Sequence, residues 1–251
     1  MTKIILATLI NDDFCRLRTL GQNTISCGLF SLIGNLAKHN AGVDFDLTLV
    51  INRKLADNEN EEIKRKIEIC DHLPQEYDFI KQVLHHNNQG SDLGAYDAGY
   101  QYLKASDYDG DVLFMNTSLS GPSQDYWLLK YHTLFHKHQD VGLCGISLNS
   151  HDTNIINNPP FKPHVQSFFL YTTMKALKKV FPANLDGYNS QNKLEIIENG
   201  EIGMSQRILD AGYSIVCYNF PFFFYKSGME WIIPLGDLRG FKEYRELANK
   251  I

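Results

Sequence analysis

Residues 111–122 read DVLFMNTSLSGP, an apolar run that passes directly into a polar segment. Residues 111–115 have the composition of a buried strand, and residues 116–122 are rich in residue types that form turns. The residues that follow predict a helix, because their apolar side chains recur on one helical face. That face comprises Trp127, Leu128, Tyr131, Leu134 and Phe135. The stretch therefore predicts a strand, a turn and a helix in succession.

The same alternation extends in both directions from this segment. The other predicted strands are residues 4–10, 45–51, 82–86, 141–146, 166–171 and 213–217. The other predicted helices cover residues 29–37, 63–70, 93–103, 174–180 and 203–209. Residues 147–163 lack a clear period and are predicted to form a surface loop. Alternating strands and helices are typical of an α/β fold with a mainly parallel sheet flanked by helices. Because we see no repeat and no domain boundary, we expect a single domain over residues 1–251.

The charge balance argues against nucleic acid as a partner. Lys and Arg number 24 against 29 Asp and Glu, a net charge of −5, and no long run of one sign occurs. Binding to a phosphate backbone normally requires a basic surface. Hydrophobic residues make up 43% of the chain, which is typical of a packed globular protein and excludes a disordered one.

The five cysteines are scattered, with no Cys-x-x-Cys pair, so neither a disulfide framework nor a zinc finger is predicted. The apolar residues 4–10 are too few for a signal peptide and read as a first strand. No stretch reaches the roughly 18 apolar residues that a membrane span needs. These features predict a protein of a reducing, cytoplasmic compartment.

The motifs of three common classes of α/β enzyme are absent from this sequence. We find no Gly-x-Ser-x-Gly of serine hydrolases, no phosphate-binding P-loop, and no Gly-x-Gly-x-x-Gly after the first strand. In α/β sheets, ligands bind in the crevice beyond the carboxyl ends of the strands. Functional side chains are therefore expected in the segments that follow strands, and two of these segments, residues 87–96 and 116–122, are unusually polar.

The segment NNQGSDLGAY, residues 87–96, has two interpretations. Glycines at Gly90 and Gly94 would let the backbone approach a nucleotide, while Asp92 binds its ribose or base. Alternatively, Ser91 or Asp92 caps the following helix without touching any ligand. Gly94 in the first turn costs helix stability, so the close approach of another group to the backbone would explain it.

The two segments together read N-x-G-x-D-x-G-A-Y and DVLFMNTS-x-x-GP, an order that resembles bacterial polysaccharide glycosyltransferases of the rhamnan-synthesis, capsular and O-antigen type. Residues 164–167 resemble the H-x-Q-S strand of the rhamnan-synthesis group. Glu201, Ser205 and Arg207, followed by the Ala-Gly-Tyr of residues 211–213, look like a helix of inverting GT-A enzymes. The resemblance runs from about residue 4 to residue 218 and implies a GT-A-like fold.

The resemblance also implies roles for individual residues. Residues 1–120 would bind the nucleotide, and residues 121–251 the acceptor. Glu201 corresponds to the catalytic base, with Glu198 as the alternative. An acidic residue in the first turn of a helix is also favourable for purely electrostatic reasons, so a structural role for Glu201 stays open. The acceptor-binding residues would be His164 and Gln166. The donor-binding residues would be Thr8, Asn11, Asn88, Gly90, Asp92, Gly94, Tyr96, Asn116, Thr117 and Ser118.

Metal-dependent GT-A enzymes hold a divalent ion on an acidic Asp-x-Asp motif after the strand that corresponds to residues 111–115. Asn116, Thr117 and Ser118 occupy that place, so Mn²⁺ or Mg²⁺ would lack its carboxylate ligand, and we assign no metal ligand. Asp109 and Asp111 precede the strand and are interpreted as a solvated turn at its opposite end. His132 and His136 fall toward the polar side of their helix, where we predict solvated side chains and no zinc site.

The resemblance thus implies a glycosyltransferase that binds two substrates. It would act in the cytoplasm or at the inner face of the membrane. The two substrates are a nucleotide-sugar donor and a saccharide or lipid-linked saccharide acceptor, with inversion at the anomeric carbon. The aromatic residues 220–225 could contact a membrane surface or a partner enzyme. The alternative is a noncatalytic subunit that binds a saccharide or nucleotide without turnover.

Overall fold

The computed structural model describes residues 1–10, 14, 16–20, 23–54, 60–151 and 161–233. Its strands are β1 (Thr2–Leu9), β2 (Arg16–Leu20), β3 (Asn23–Cys27), β4 (Phe45–Asn52), β5 (Ile80–His86), β6 (Asp111–Asn116), β7 (Val141–Gly145), β8 (Leu148–His151), β9 (Phe161–Val165), β10 (Phe169–Thr173), β11 (Ser214–Cys217) and β12 (Phe220–Tyr225). Its helices are α1 (Leu29–Lys38), α2 (Glu61–Glu76), α3 (Ser91–Ala105), α4 (Trp127–His136), α5 (Met174–Val180), α6 (Lys193–Glu195), a π-helix (Ile196–Ile202) and α7 (Gly203–Asp210). Among the described residues, no helix combines the length and apolar character that crossing a bilayer requires.

Eight strands form one mixed sheet in the order β12-β11-β7-β10-β6-β1-β4-β5. β1 pairs in parallel with β4 and β6, and β4 with β5. β10 runs antiparallel between β6 and β7, and β12 antiparallel to β11. The prediction of a single α/β domain with a mostly parallel sheet flanked by helices is confirmed. The carboxyl ends of β1, β4, β5 and β6 therefore open at one edge of the sheet.

Helices cover both faces of this sheet, which explains the continuous apolar run of β1. Ile4 and Leu6 pack into a cluster with α1, α2 and α4. Ile5 and Ala7 point the other way and pack with α3, α5 and α7. Because successive side chains of a strand alternate between faces, a strand covered on both sides is apolar at every position.

Two of the helix starts show how local chemistry sets the boundaries. The Thr173 side chain accepts a hydrogen bond from the Ala176 N–H, so the predicted start of α5 is confirmed. The predicted cap of α3 is wrong, because Gly90 precedes the helix in a left-handed conformation and no side chain caps it. The Asp92 carboxylate instead accepts a hydrogen bond from the Asn116 side chain.

The predicted surface loop over residues 147–163 is partly wrong. β8 and β9 form an antiparallel pair within it, with Leu148 opposite Val165, and residues 152–160 lie outside the described residues. The predicted strand over residues 166–171 begins only at Phe169, and residues 166–168 form the turn between β9 and β10. These strands have four or five residues, too few for a period-2 pattern to stand out from a polar loop.

Candidate functional site

The order of the strands reverses between the neighbouring strands β1 and β6. From β1 the chain proceeds outward to β4 and β5 on one side, and then returns to place β6 on the other side. Such a reversal leaves a crevice beyond the carboxyl ends of the two strands, because their connections leave in opposite directions. Of the predicted donor-binding residues, Thr8, Asn116 and Thr117 lie at this reversal. Asn11 lies outside the described residues.

Thr8 and Thr117 join the two strands below the crevice. The Thr117 N–H donates to the Ala7 carbonyl over 3.1 Å, and the two threonine hydroxyls are 3.4 Å apart. Thr8 is 1% exposed and Thr117 is fully buried. The two hydroxyls do not face an open surface. Thr8 and Thr117 therefore support the turn after β6 and are not positioned to contact a ligand.

Asn116 organises the turn that follows β6. Its side-chain oxygen accepts hydrogen bonds from the Ser118 N–H and hydroxyl over 3.1 and 2.5 Å. Its amide nitrogen donates to Asp92 Oδ2 over 2.6 Å. The first turn of α3 and the turn after β6 are therefore joined in one polar cluster, as the predicted donor site requires. Asp92 is the carboxylate of this cluster.

The donor set at this edge does not fit a hard divalent cation. Mg²⁺ and Mn²⁺ prefer several oxygen ligands that include carboxylates. The side chains of Asn116 and Ser118 form hydrogen bonds with each other, and Asn116 also bonds Asp92. Within the described residues, Asp92 belongs to no group of three or more His, Cys, Asp or Glu side chains that could hold an ion. We derive no step of chemistry through a metal at this edge.

The glycines of residues 90–94 are required by the packing of the chain on itself. A Cβ atom on Gly90, at φ +68°, would lie 2.1 Å from the Tyr188 carbonyl oxygen. A Cβ atom on Gly94 would lie 1.8 Å from the Gln89 carbonyl oxygen. The close approach that the sequence suggested does exist, but the approaching groups belong to the protein.

Asn88 retains an unused polar atom in the same loop. Its backbone has φ +61°, and its side-chain oxygen is buried without a hydrogen-bond donor in the described structure. A buried acceptor without a partner costs about 1–3 kcal/mol. A hydrogen-bond donor that reached this oxygen would recover that free energy, and the role of Asn88 in a donor site stays a prediction.

Tyr96 supports the turn between β9 and β10. Its ring is fully buried, and its hydroxyl donates to the Ser167 carbonyl over 3.0 Å. The neighbouring Asp97, which the sequence analysis did not single out, is buried and accepts hydrogen bonds from the Leu185 N–H and the Asn184 side chain, each over 2.8 Å. A charged residue on an otherwise apolar helical face was the signal for this role, because carboxylates are rarely buried unless paired.

Glu201, at the end of the π-helix, faces the same turn. Its Oε2 accepts hydrogen bonds from the Ser167 N–H and hydroxyl over 2.7 and 2.6 Å. Its Oε1 lies 3.7 Å from His164 Nε2. The Glu201 carboxylate is thus oriented through one oxygen, while Oε1 has no hydrogen bond within the described residues. The π-helix is itself a signal, since such segments occur frequently at functional sites.

His164 and Gln166 serve the architecture around Glu201. His164 is 2% exposed, and its Nδ1 donates to the Lys162 carbonyl over 2.7 Å because a carbonyl can only accept. The other ring nitrogen, Nε2, faces Glu201 Oε1. Gln166 accepts a hydrogen bond from the Ser147 hydroxyl over 2.7 Å. His164 thus lies beside the carboxylate, although its ring does not reach an open surface, and Gln166 contacts Ser147 next to the turn that holds Glu201.

Glu198 faces a different space. It lines an open, polar cleft of about 670 Å³ together with Asp186, Tyr188, Asn199 and Arg207. Burial raises the pKa of Asp186, and the ion pair with Arg207, at 2.6 Å, opposes that shift. The two glutamates of the π-helix thus face different surroundings: Glu198 the polar cleft, and Glu201 the turn that contains Ser167.

The α3 start and the π-helix are in direct contact. A Cβ atom on Gly200 would lie 1.7 Å from the Leu93 side chain, and one on Gly187 would lie 2.6 Å from the Gly200 Cα. Together with the Asn116–Asp92 hydrogen bond, this packing makes the stretches around Gly90, Ser118 and Glu201 contiguous. That these three stretches also enclose a cavity for an activated sugar stays a prediction.

A second polar cluster lies at the opposite end of β6. Asp111 Oδ2 accepts a hydrogen bond from the Tyr171 hydroxyl over 2.8 Å and lies 3.1 Å from His132 Nδ1 and 3.0 Å from His136 Nε2. The interpretation of Asp111 as part of a solvated turn is wrong, because it begins β6 with a side chain only 15% exposed. The two histidines contact Asp111, which their position on the polar side of α4 did not predict, while their side chains remain 37% and 45% exposed.

Comparisons with known proteins confirm the rhamnan-synthesis part of the resemblance. A search of the curated proteins finds no match for the chain. The family model of rhamnan synthesis protein F matches residues 47–220. This range covers more than half of the chain, from β4 to the start of β12, and includes both polar turns and the Glu201 site. The chain therefore belongs to the rhamnan synthesis protein F family.

Proposed function

We propose that this chain is a glycosyltransferase of rhamnan synthesis, which moves a sugar from a nucleotide-sugar donor to a saccharide acceptor with inversion. The observation that carries the proposal is the contiguity of the Asp92–Asn116 cluster with the Glu201 site at the carboxyl edge of the sheet. Family membership supports the polysaccharide context.

The donor would lie over the Asp92–Asn116 cluster, beside the N-terminus of α3. Backbone N–H groups at the start of a helix stabilise a negative charge, which suits a diphosphate leaving group. The unpartnered Asn88 oxygen and the Ser118 turn offer further contacts for the nucleotide or its sugar.

Glu201 would act as the general base. Ser167 fixes one carboxylate oxygen, which leaves Oε1 to receive a proton. The acceptor hydroxyl transfers its proton to Oε1 as its oxygen forms a bond to the anomeric carbon. The bond from that carbon to the diphosphate oxygen breaks, and its electron pair leaves with the diphosphate. A positioned base of this kind typically contributes about 10²–10⁴-fold to the rate.

Turnover of nucleotide-activated rhamnose, measured in parallel with thermal-shift binding of nucleoside diphosphates, tests the proposal. We expect Glu201→Gln to lower kcat by at least about 100-fold while nucleotide binding persists. Glu68→Gln, an exposed glutamate of α2, is the matched control for the loss of one charge. Unchanged turnover in Glu201→Gln contradicts the assignment, and loss of turnover in Glu198→Gln alone moves the base to the polar cleft.

A noncatalytic binding subunit is the second candidate. It is favoured by the composition of the turn after β6, where Asn116, Thr117 and Ser118 provide no carboxylate for a metal-bound diphosphate. Such a subunit would bind a nucleotide or saccharide but release no nucleoside diphosphate from any nucleotide-sugar. The same assays, run with Mn²⁺ and with EDTA, distinguish it from a transferase.

A further inference from the structure

The cluster at the amino end of β6 combines two imidazoles and one carboxylate. His132 and His136 are one helical turn apart on α4, and their ring centroids are 4.5 Å apart. Asp111 Oδ2 lies 3.1 Å from His132 Nδ1 and 3.0 Å from His136 Nε2. One ligand atom from each of the three residues lies within 4.8 Å of the other two. No other group of three or more such residues occurs in the described part of the chain.

These separations suit a tetrahedral ion. With metal–ligand bonds of about 2.0–2.1 Å, two ligands of a tetrahedral zinc are roughly 3.3 Å apart. The two Asp111–histidine separations are close to this value. The remaining separation, between the histidine nitrogens, is at most 4.8 Å, and rotation of the rings, whose side chains are 37% and 45% exposed, would shorten it when an ion binds.

The surroundings of Asp111 are also those of a metal ligand. The Tyr171 hydroxyl, from the adjacent strand β10, donates to Asp111 Oδ2 over 2.8 Å. Ligating carboxylates are commonly oriented by such an outer hydrogen bond. The same hydroxyl lies 2.9 Å from His132 Nδ1, a contact that the ion would replace. The exposed histidine side leaves a path for the ion and a fourth position for water.

We propose that Asp111, His132 and His136 bind one Zn²⁺ ion. Two imidazoles favour zinc over Mg²⁺ or Mn²⁺, which prefer oxygen ligands. β6 separates this cluster from Asn116 by five residue steps, roughly 17 Å. The ion would therefore be a structural site that connects α4 to β6, and the inference does not depend on the proposed glycosyl transfer.

Zinc titration of the full chain, freed of metal by EDTA and dialysis, tests this site. We expect one Zn²⁺ per chain by calorimetry, a rise in Tm on addition of Zn²⁺, and the intense visible absorption of tetrahedral Co²⁺ when cobalt replaces zinc. His136→Gln, at an exposed position, should weaken Zn²⁺ binding at least tenfold. Asp111→Asn should also weaken it, and Mg²⁺ in excess should not compete.

His72→Gln is the matched control, because His72 lies on the exposed surface of α2 outside the cluster. It should bind Zn²⁺ like the unmodified chain, with the same rise in Tm. The proposal is overturned if no stoichiometric site is found. It is equally overturned if His136→Gln binds Zn²⁺ as tightly as His72→Gln does, since the three residues then form only a hydrogen-bonded network.

Discussion

The Asn116 side chain donates a 2.6 Å hydrogen bond to the Asp92 carboxylate and thereby joins the end of β6 to the first turn of α3. An acidic residue at position 116 would replace this attraction with repulsion between two carboxylates. An amide at position 116 is therefore compatible with the neighbouring Asp92 carboxylate, and a carboxylate at position 116 would not be.

Asn116→Asp should destabilise the protein. It removes the hydrogen-bond donor to Asp92 and places two carboxylates in contact, at a cost of about 1–3 kcal/mol. Urea unfolding at pH 7 measures this loss. A divalent cation should recover part of it, because two carboxylates can share the ion.

Asn87→Asp is the control for this change. Asn87 is exposed in the neighbouring loop, and its side-chain oxygen accepts a hydrogen bond from the Gln89 N–H, a role that aspartate retains. We expect a change within about 0.5 kcal/mol and no cation effect. Equal losses in the two variants would show that the Asp92 contact contributes little.

Gly90→Ala should destabilise the protein more than Gly212→Ala. Both glycines have positive φ, at +68° and +87°, so both substitutions introduce backbone strain. Only at Gly90 would the new Cβ meet another atom, the Tyr188 carbonyl oxygen, whereas nothing lies within 4 Å at Gly212. Thermal unfolding should give a Tm for Gly90→Ala that is several degrees lower, and equal Tm values would contradict the packing of residues 187–190 on this loop.

His86 should make stability fall in mildly acidic solution. Burial lowers the pKa of His86 below its ordinary value near 6.5, and the charge of Asp97 partly opposes this shift. The unfolded chain then binds a proton that the folded protein does not, so the free energy of unfolding falls as pH drops below about 6.5 and levels off below the folded pKa.

His86→Gln should remove this dependence. Glutamine keeps a polar side chain opposite Asn52, the present 2.7 Å partner of His86 Nδ1, but does not titrate. Urea unfolding between pH 7.5 and 5 should show a slope smaller by at most about 1.4 kcal/mol per pH unit. Identical slopes in the two proteins would assign the effect to other groups.

The fold was predictable where the physical signal is strong and local. β1 is apolar at nearly every position because both of its faces are covered, and its alternate residues enter two different clusters. β8 and β9 were missed because short strands with one polar face resemble a loop. Pairing in the two strands depends on contacts between residues such as Leu148 and Val165, which no local pattern reveals.

The sequence indicates which polar segments come together at the sheet edge, but not the contacts that they make there. The polar segments after β5 and β6 identify the edge of the sheet, and parallel pairing then brings them together. Ser167 donates to Glu201 from a turn, whereas the sequence pattern predicts a strand at this position. The association of Asp111 with His132 and His136 depends on how α4 packs on β6, a tertiary relationship across more than 20 residues.

Ser167→Ala should impair catalysis without preventing folding, if Glu201 is the base. The substitution removes the hydroxyl that donates to Glu201 Oε2 over 2.6 Å but keeps the N–H donor at 2.7 Å. A hydrogen bond to a charged group contributes about 1.5–3 kcal/mol, so its loss should lower kcat roughly tenfold or more, with KM for the donor little changed. Ser147→Ala, which removes the hydroxyl that bonds Gln166, is the matched control and should retain a higher kcat. A fall in kcat that is the same in both variants would mean that the turn as a whole matters, and that the orientation of Glu201 by Ser167 does not.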